Sequence, residues 1–196
     1  MQHMVQPVPW VEQFAMRHGA RYEPEADDRW LNSWEPYLTL RVAERYDHSL
    51  SLTDAQGSRT VARCIVQTPT GEAATWIVVA QDDRLLGHAA TSSDHRSPFV
   101  EPSVAMPRQR TGNPAFDGAF LTYAPSSEEC ALALGASVQK LLLSWQLAVH
   151  VEIRPGGLVL APVGLPADPR SLEWLWTASL VLGEKAEKSR RDAAPR

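Results

Sequence analysis

An alternating stretch near the C-terminal end, residues 150–164 (HVEIRPGGLVLAPVG), constrains the fold more than any other part of the sequence. Apolar and polar residues alternate before a Pro-Gly-Gly turn, and a short apolar run follows it, which predicts a hairpin of two antiparallel strands. Alternate residues of a strand point to opposite faces of the sheet. The first strand would therefore turn Val149, Val151 and Ile153 to the core and His150, Glu152 and Arg154 to the other face. We expect that other face to be exposed to solvent, as in a one-sided antiparallel sheet.

The first half of the chain changes period after two short helical segments. Residues 9–19 (PWVEQFAMRHG) and 27–36 (DDRWLNSWEP) have helical spacing, with Trp30 and Trp34 on one face of the second helix. From residue 37 to residue 92 the apolar residues alternate instead, and turn-forming residues follow each run. This region therefore predicts an antiparallel meander of about four strands.

The last third of the chain predicts a β-α-β-β-α unit. FDGAFLTYA has the composition of a strand, and the helix after it begins with a capping box at Ser126 and Glu129. The hairpin follows, and Asp168 and Pro169 then begin a closing helix. Together these elements predict an α+β fold with an antiparallel sheet of five to seven strands and helices packed mainly on one face.

A single α+β domain over residues 1–183 is the simplest division of the chain. Residues 93–114 contain four prolines and no periodicity, which predicts a long irregular loop. The alternative is two lobes, 1–92 and 115–183, that this loop joins. Residues 184–196 have few apolar residues and predict a solvated tail that folding does not require.

Composition excludes several classes of function. A net charge of −4 argues against a nucleic-acid partner. The two cysteines, Cys64 and Cys130, have no metal-site spacing, and we expect both to be reduced and buried. No apolar run is long enough to span a membrane, and the N-terminus has no leader pattern, which predicts a soluble cytoplasmic protein. The chain also lacks the common phosphate-binding, dinucleotide-binding and zinc motifs, so we expect no cofactor and no metal.

Two groups of residues are the candidates for chemistry. Asp94 and His95 place an acid and a base in the irregular loop, but adjacent side chains diverge, and an aspartate there is also typical of a turn. His150 and Glu152 share a strand face, but side chains two residues apart on a strand are about 7 Å apart, too far for a dependable orienting bond. Both groups are therefore weak candidates, and no catalytic residue is assigned.

The closing helix has apolar residues on two faces. Leu172, Leu175, Trp176 and Leu180 form one stripe, and Trp174, Ala178 and Val181 form the other. A helix that is apolar on two faces is normally buried on both. The second stripe is therefore the candidate interface. The N-terminal helix could cover it through Trp10 and Phe14, or a second copy of the chain could cover it in a homodimer.

The C-terminal half resembles uncharacterised bacterial domain-of-unknown-function proteins. The resemblance is carried by Phe116-Asp117 before a strand, a helix that ends in Leu-Leu, a Gly-Gly-Leu hairpin and a Leu-rich helix. The N-terminal stretch FAMRHGARYEPE is similar to the openings of such proteins. The resemblance implies a bacterial source and an unassigned function.

These observations favour a non-catalytic binding or protein-interaction module. The alternative is a hydrolase-like enzyme that uses His95 or His150 in a pocket under the 93–114 loop. A pocket in which a histidine and a carboxylate converge would favour the enzyme. A flat apolar patch around Trp174 or Trp176 would favour the interaction module.

Overall fold

The computed structural model describes residues 5–26, 43–55, 57–93, 97–100 and 106–193, with side chains up to residue 188. Nine strands and five helices form within these residues. The strands are β1 (Arg21–Glu25), β2 (Arg45–Asp54), β3 (Gly57–Thr68), β4 (Gly71–Gln81), β5 (Ala89–Ser92), β6 (Arg108–Gln109), β7 (Leu121–Tyr123), β8 (Val149–Arg154) and β9 (Gly157–Pro162). The helices are α1 (Pro9–His18), α2 (Pro114–Ala119), α3 (Ser127–Ala133), α4 (Ala136–Ser144) and α5 (Pro169–Ala193).

All nine strands belong to one antiparallel sheet, in the order β1-β2-β3-β4-β9-β8-β5-β7-β6. The α+β class is confirmed, but the expected five to seven strands were too few. The error comes from the short strands, because β6 has two residues and β7 has three. Runs of that length contain too few residues for alternation to be recognised.

The hairpin of β8 and β9 forms as expected. Arg154 pairs with Gly157 across a two-residue turn, and Gly156 has a φ of +88°, which glycine adopts without strain. This hairpin inserts between β4 and β5, which are consecutive in the chain.

One face of the sheet, which we call the helical face, carries the main core. Helices α1, α3, α4 and α5 pack on it, and Phe14 of α1 meets Trp176 of α5 edge to face with ring centroids 6.0 Å apart. Fully buried apolar side chains fill this layer, including Leu50, Leu85, Leu134, Leu142, Ile153, Leu158 and Leu160. Burial of such side chains is worth about 1.5–3 kcal/mol each, so this layer is the main source of stability.

The opposite face, which we call the second face, is also buried at its centre. Ile77, Val79 and Val159 form a smaller apolar cluster there with Phe99 from the 97–100 segment. The expectation of a solvent-exposed strand face around β8 is therefore wrong. The expectation assumed a one-sided sheet, but strands buried on both faces can also carry polar residues when those residues find partners.

Two secondary-structure predictions in the last third are also wrong. Residues 116–119, expected to begin a strand, lie in α2, because the Asn113 side chain accepts hydrogen bonds from the backbone N–H groups of Ala115 and Phe116. The single helix expected after Ser126 is two helices, α3 and α4. They separate at Leu134, whose carbonyl oxygen accepts a 2.7 Å hydrogen bond from the Gln139 amide.

The expected solvated tail also needs correction. Helix α5 continues past Gly183 to Ala193, and Ala186 is only 4% exposed within the main core. Glu187 pairs with Arg84 at 3.0 Å. A mixed-charge segment can therefore still dock when one small residue faces the core at helical spacing.

Some expectations lie outside the described residues, namely the second helix with Trp30 and Trp34, and the first part of the meander over 37–42. Among the described helices, none has the length and apolar character that a membrane span requires. Cys64 and Cys130 are free thiols and buried, and burial raises the pKa of the Cys64 thiol to about 12.

Candidate functional site

Strand β8 brings His150 and Glu152 onto the second face, where both are sealed from solvent. His150 is 1% exposed and Glu152 is 0% exposed. The residues beside them on neighbouring strands are small: Ser92 and Ala161 flank His150, and Ala90 and Val159 flank Glu152. Small neighbours leave room for two polar side chains inside the sheet layer.

His88 is one partner of Glu152. It follows the turn after β4, and its Nε2 lies 3.3 Å from Glu152 Oε1. The His88 side chain is 20% exposed, so it lies between the buried carboxylate and solvent. A buried carboxylate requires such a partner, because an isolated buried charge is strongly unfavourable. The sequence alone gives His88 no role, since residues 64 positions apart give no local signal.

His150 is poorly suited to general-base chemistry. Burial lowers the pKa of His150 to about 4, against a smaller opposing effect of the Glu152 carboxylate. The ring is therefore neutral near pH 7, but a base with so low a pKa is weak, and its burial leaves no path for a substrate. Asp94 and His95, the other weak candidates, lie outside the described residues.

A second polar cluster, which sequence analysis missed, lies at a β-bulge in β2. The register of β2 shifts between Asp47 and Leu50, and His48 has a φ of +51°. His48 Nδ1 is 2.9 Å from the Tyr22 hydroxyl, whose oxygen accepts a 3.0 Å hydrogen bond from the Val8 N–H. Bulges and positive φ values at non-glycine residues are concentrated near functional sites.

Burial controls the electrostatics of this bulge. Burial raises the pKa of Asp47, and the Arg63 guanidinium, whose Nη1 is 3.6 Å from Asp47 Oδ2, opposes this shift. Burial also lowers the pKa of His48. Both changes favour the neutral forms. The contact with Val8 shows what the bulge does structurally: it ties the segment before α1 to the sheet.

A cleft lies between α5 and the ends of β2, β3 and β4. It measures about 510 Å³, counting the space that opens to solvent, and Arg59 and the exposed Leu180 line it. The Arg59 guanidinium lies 5.6 Å from the centroid of the Trp176 ring, a cation–π contact. Burial lowers the pKa of Arg59, and the nearby Asp54 and Asp82 oppose that effect.

The charged side chains at this cleft pair within the chain. Asp82 accepts hydrogen bonds from the Arg84 guanidinium, which also pairs with Glu187. No histidine or cysteine is among the described residues that line the cleft. Its charged groups therefore hold the strand ends to α5.

The candidate interface stripe packs largely within the chain. Trp174 meets Trp145, the residue that follows α4, edge to face with ring centroids 5.3 Å apart. Ala178 is buried and Val181 is partly buried. Helix α4 therefore packs beside this stripe, whereas the N-terminal helix contacts Trp176 on the first stripe. A homodimer through Trp174 stays a prediction.

Comparison with known proteins yields a shared fold. No family model matches the chain, and no curated protein matches it. Among solved structures, the chain is similar to the crystal structure of the mycobacterial trehalose monomycolate transport factor A, TtfA. The superposition covers 96% of this chain and 96% of TtfA with a TM-score of 0.62, at 12% sequence identity. The two proteins thus have the same architecture over nearly their whole lengths.

Proposed function

We propose that this protein is a non-catalytic accessory factor that binds a partner in the transport of a cell-envelope lipid. The observation that carries the proposal is the fold correspondence with TtfA, a transport factor, over 96% of both chains. A shared fold alone does not imply a shared function, so the proposal also depends on the side chains of the sheet and the cleft.

The arrangement of ionisable side chains supports a binding role. His150 and Glu152, the described candidates for chemistry, are enclosed in the sheet, and Glu152 is bonded to His88. The cleft beside Arg59 is lined by paired charges and by an exposed leucine, Leu180. Such a surface suits recognition of another molecule without chemistry.

The proposal also covers the location of the protein, the group of proteins to which it belongs and its association with a partner. The protein would act in the cytoplasm of a bacterium, and it would belong with the uncharacterised bacterial proteins that its C-terminal half resembles. It would also self-associate or bind a protein partner. Fractionation of the native host, followed by sedimentation of the purified protein, measures location and assembly directly.

The test of the transport role is deletion of the gene in the native host, with lipid analysis of the separated cell membrane and outer envelope. We expect one lipid to accumulate in the cell membrane and to decrease in the outer envelope, and the wild-type gene to restore both. An unchanged lipid distribution would overturn the transport role.

Two variants separate the accessory factor from the hydrolase-like enzyme. Glu152→Gln keeps the shape of a buried side chain and removes its charge, and His95→Asn removes the loop base. If the protein is non-catalytic, both variants should restore the lipid distribution once circular dichroism has shown that they fold. A folded variant that fails to restore it would support the enzyme instead.

A further inference from the structure

Strand β6 ends the sheet, and its outer edge is open among the described residues. It pairs with β7 through Arg108 with Tyr123 and Gln109 with Thr122. The Ala124 N–H donates to the Pro107 carbonyl oxygen at 3.1 Å. Because hydrogen-bonded and non-hydrogen-bonded pairs alternate in an antiparallel ladder, the backbone N–H and C=O groups of Arg108 and Arg110 point away from β7. Such an edge is a template for another strand.

The side chains beside this edge add positive charge. Arg108 and Arg110 are both exposed, and neither has a carboxylate partner within salt-bridge distance in the described part of the chain. They line a groove of about 870 Å³, counting the space open to solvent, between β6 and α2. The groove therefore presents two guanidinium groups beside an open backbone edge.

The one carboxylate in the described lining of this groove is already engaged. Asp117 accepts hydrogen bonds from the Thr111 N–H and hydroxyl, both at 2.9 Å, and from the Gly112 N–H at 3.3 Å. These bonds outweigh desolvation and hold the pKa of Asp117 below its usual value. Asp117 thus fixes the turn before α2 and partly offsets the charge of Arg110, leaving the groove with a net positive charge.

The opposite edge of the sheet, β1, has the features of a protected edge. Pro24 removes one backbone donor from β1, and Glu23 and Glu25 give it acidic side chains. β6 has basic side chains and no proline within the strand. The two edges therefore differ in charge, and only β1 carries a proline to discourage pairing.

We propose that the β6 edge binds an extended acidic segment of a partner protein, which adds a strand to the sheet. This inference rests on the proposed binding function and names the chemistry of its partner. Carboxylates at alternate positions of the added strand would be about 7 Å apart, the spacing of Arg108 and Arg110. Main-chain hydrogen bonds would supply affinity, and the two arginines would select acidic residues.

The probe is a fluorescein-labelled peptide, Ser-Glu-Val-Glu-Val-Glu-Ser, with a control peptide that has lysine at each glutamate. Binding to the full chain is measured by fluorescence polarisation at several salt concentrations. We expect saturable binding of the acidic peptide, at least about tenfold tighter than that of the lysine peptide, and weaker at high salt. Equal binding of both peptides, or no saturable binding of the acidic one, would overturn the inference.

Two variants and one control test the site. Arg110→Pro removes a backbone N–H that points outward and leaves the ladder with β7 intact, and R108Q/R110Q removes both charges. Each should weaken acidic-peptide binding about tenfold or more. The control, K140Q/R170Q, removes two exposed charges from α4 and α5 and should bind within about twofold of wild type. If Arg110→Pro does not fold, R108Q/R110Q alone decides the result.

Sedimentation and complementation separate this inference from the proposed function. If the β6 variants convert a dimer to a monomer, the occupant of the edge is a second copy, and the partner-peptide inference is wrong. If the variants lose peptide binding but still restore the lipid distribution in the deletion strain, β6 docking is not part of the accessory role, which then stands. If gene deletion leaves the lipids unchanged but peptide binding persists, the transport role fails and the docking site stands.

Discussion

Replacement of Gly87 by alanine should destabilise the fold more than the same change at a glycine that has a comparable φ but open space where the Cβ would be added. Gly87 has a φ of +78° and lies in the turn between β4 and β5, where an added Cβ would meet α3. That Cβ would lie 2.7 Å from the Ala133 N atom and from the Leu132 Cβ, and 2.8 Å from the Glu129 carbonyl oxygen. These are backbone and near-backbone atoms of a helix, which cannot rotate away as the end of a flexible side chain can.

The magnitude has two parts. A non-glycine residue in the left-handed region costs about 1–2 kcal/mol, and overpacking against a fixed neighbour costs about 1–3 kcal/mol. Gly87→Ala should therefore lower the free energy of unfolding by about 2–5 kcal/mol. Gly156→Ala is the matched control, because Gly156 has a φ of +88° and nothing within 4 Å of the added Cβ. It should cost only the backbone part, about 1–2 kcal/mol.

The assay is urea denaturation followed by circular dichroism, with the midpoint and slope compared for the parent and both variants. Thermal melting is a second measure, in which each kcal/mol corresponds to about 2–4 °C for a chain of this size. Equal losses for Gly87→Ala and Gly156→Ala would refute the reasoning, because the close approach of the turn to α3 would then contribute nothing.

The same substitution should also disturb the second face. His88 follows Gly87, and its ring reaches Glu152. A displaced turn would move His88 and weaken its contact with the buried Glu152 carboxylate.

Three further perturbations test other parts of the structure. Truncation after Gly183 removes the buried Ala186 and should destabilise the chain by about 1–3 kcal/mol; an unchanged melting temperature would show that the end of α5 does not dock. Burial holds the His150 pKa at about 4, below its ordinary 6.5, so the unfolded chain binds the proton first as pH falls. The parent should then lose about 3 kcal/mol of stability between pH 6.5 and 4, and His150→Gln should show a flatter profile in urea melts. Trp174→Glu should lower the melting temperature, because Trp174 packs on Trp145; gel filtration tests the predicted homodimer, because a folded monomer from a dimeric parent would identify Trp174 as an interface residue and an unchanged particle size would show that it is not one.

The strands and helices with long, regular patterns could be predicted from the sequence. The hairpin at Pro155-Gly156, the cap of α3 at Ser126 and the start of α5 at Pro169 all depend on residues close in sequence, and all formed as expected. Local patterns carry this information because turn and cap preferences act over a few residues.

The candidate site could not be predicted, because its contacts are long-range. Alternation shows that His150 and Glu152 share a strand face, but it cannot show whether another layer covers that face. The pairing of Glu152 with His88 and of His48 with Tyr22 depends on strand order and on a bulge. Neither property has a local pattern in the chain.

The insertion of the β8–β9 hairpin between β4 and β5 determines the order in which the sheet can be completed. The ribosome releases β4 and β5 long before β8 and β9. During synthesis the edge of β4 therefore stays unpaired until its native neighbour, β9, has been made. Pairings between segments so far apart in sequence make folding slow, and an unpaired strand edge is prone to aggregation. Expression of the protein should therefore depend strongly on chaperones and on temperature, and fragments that end before β8 should accumulate as insoluble material.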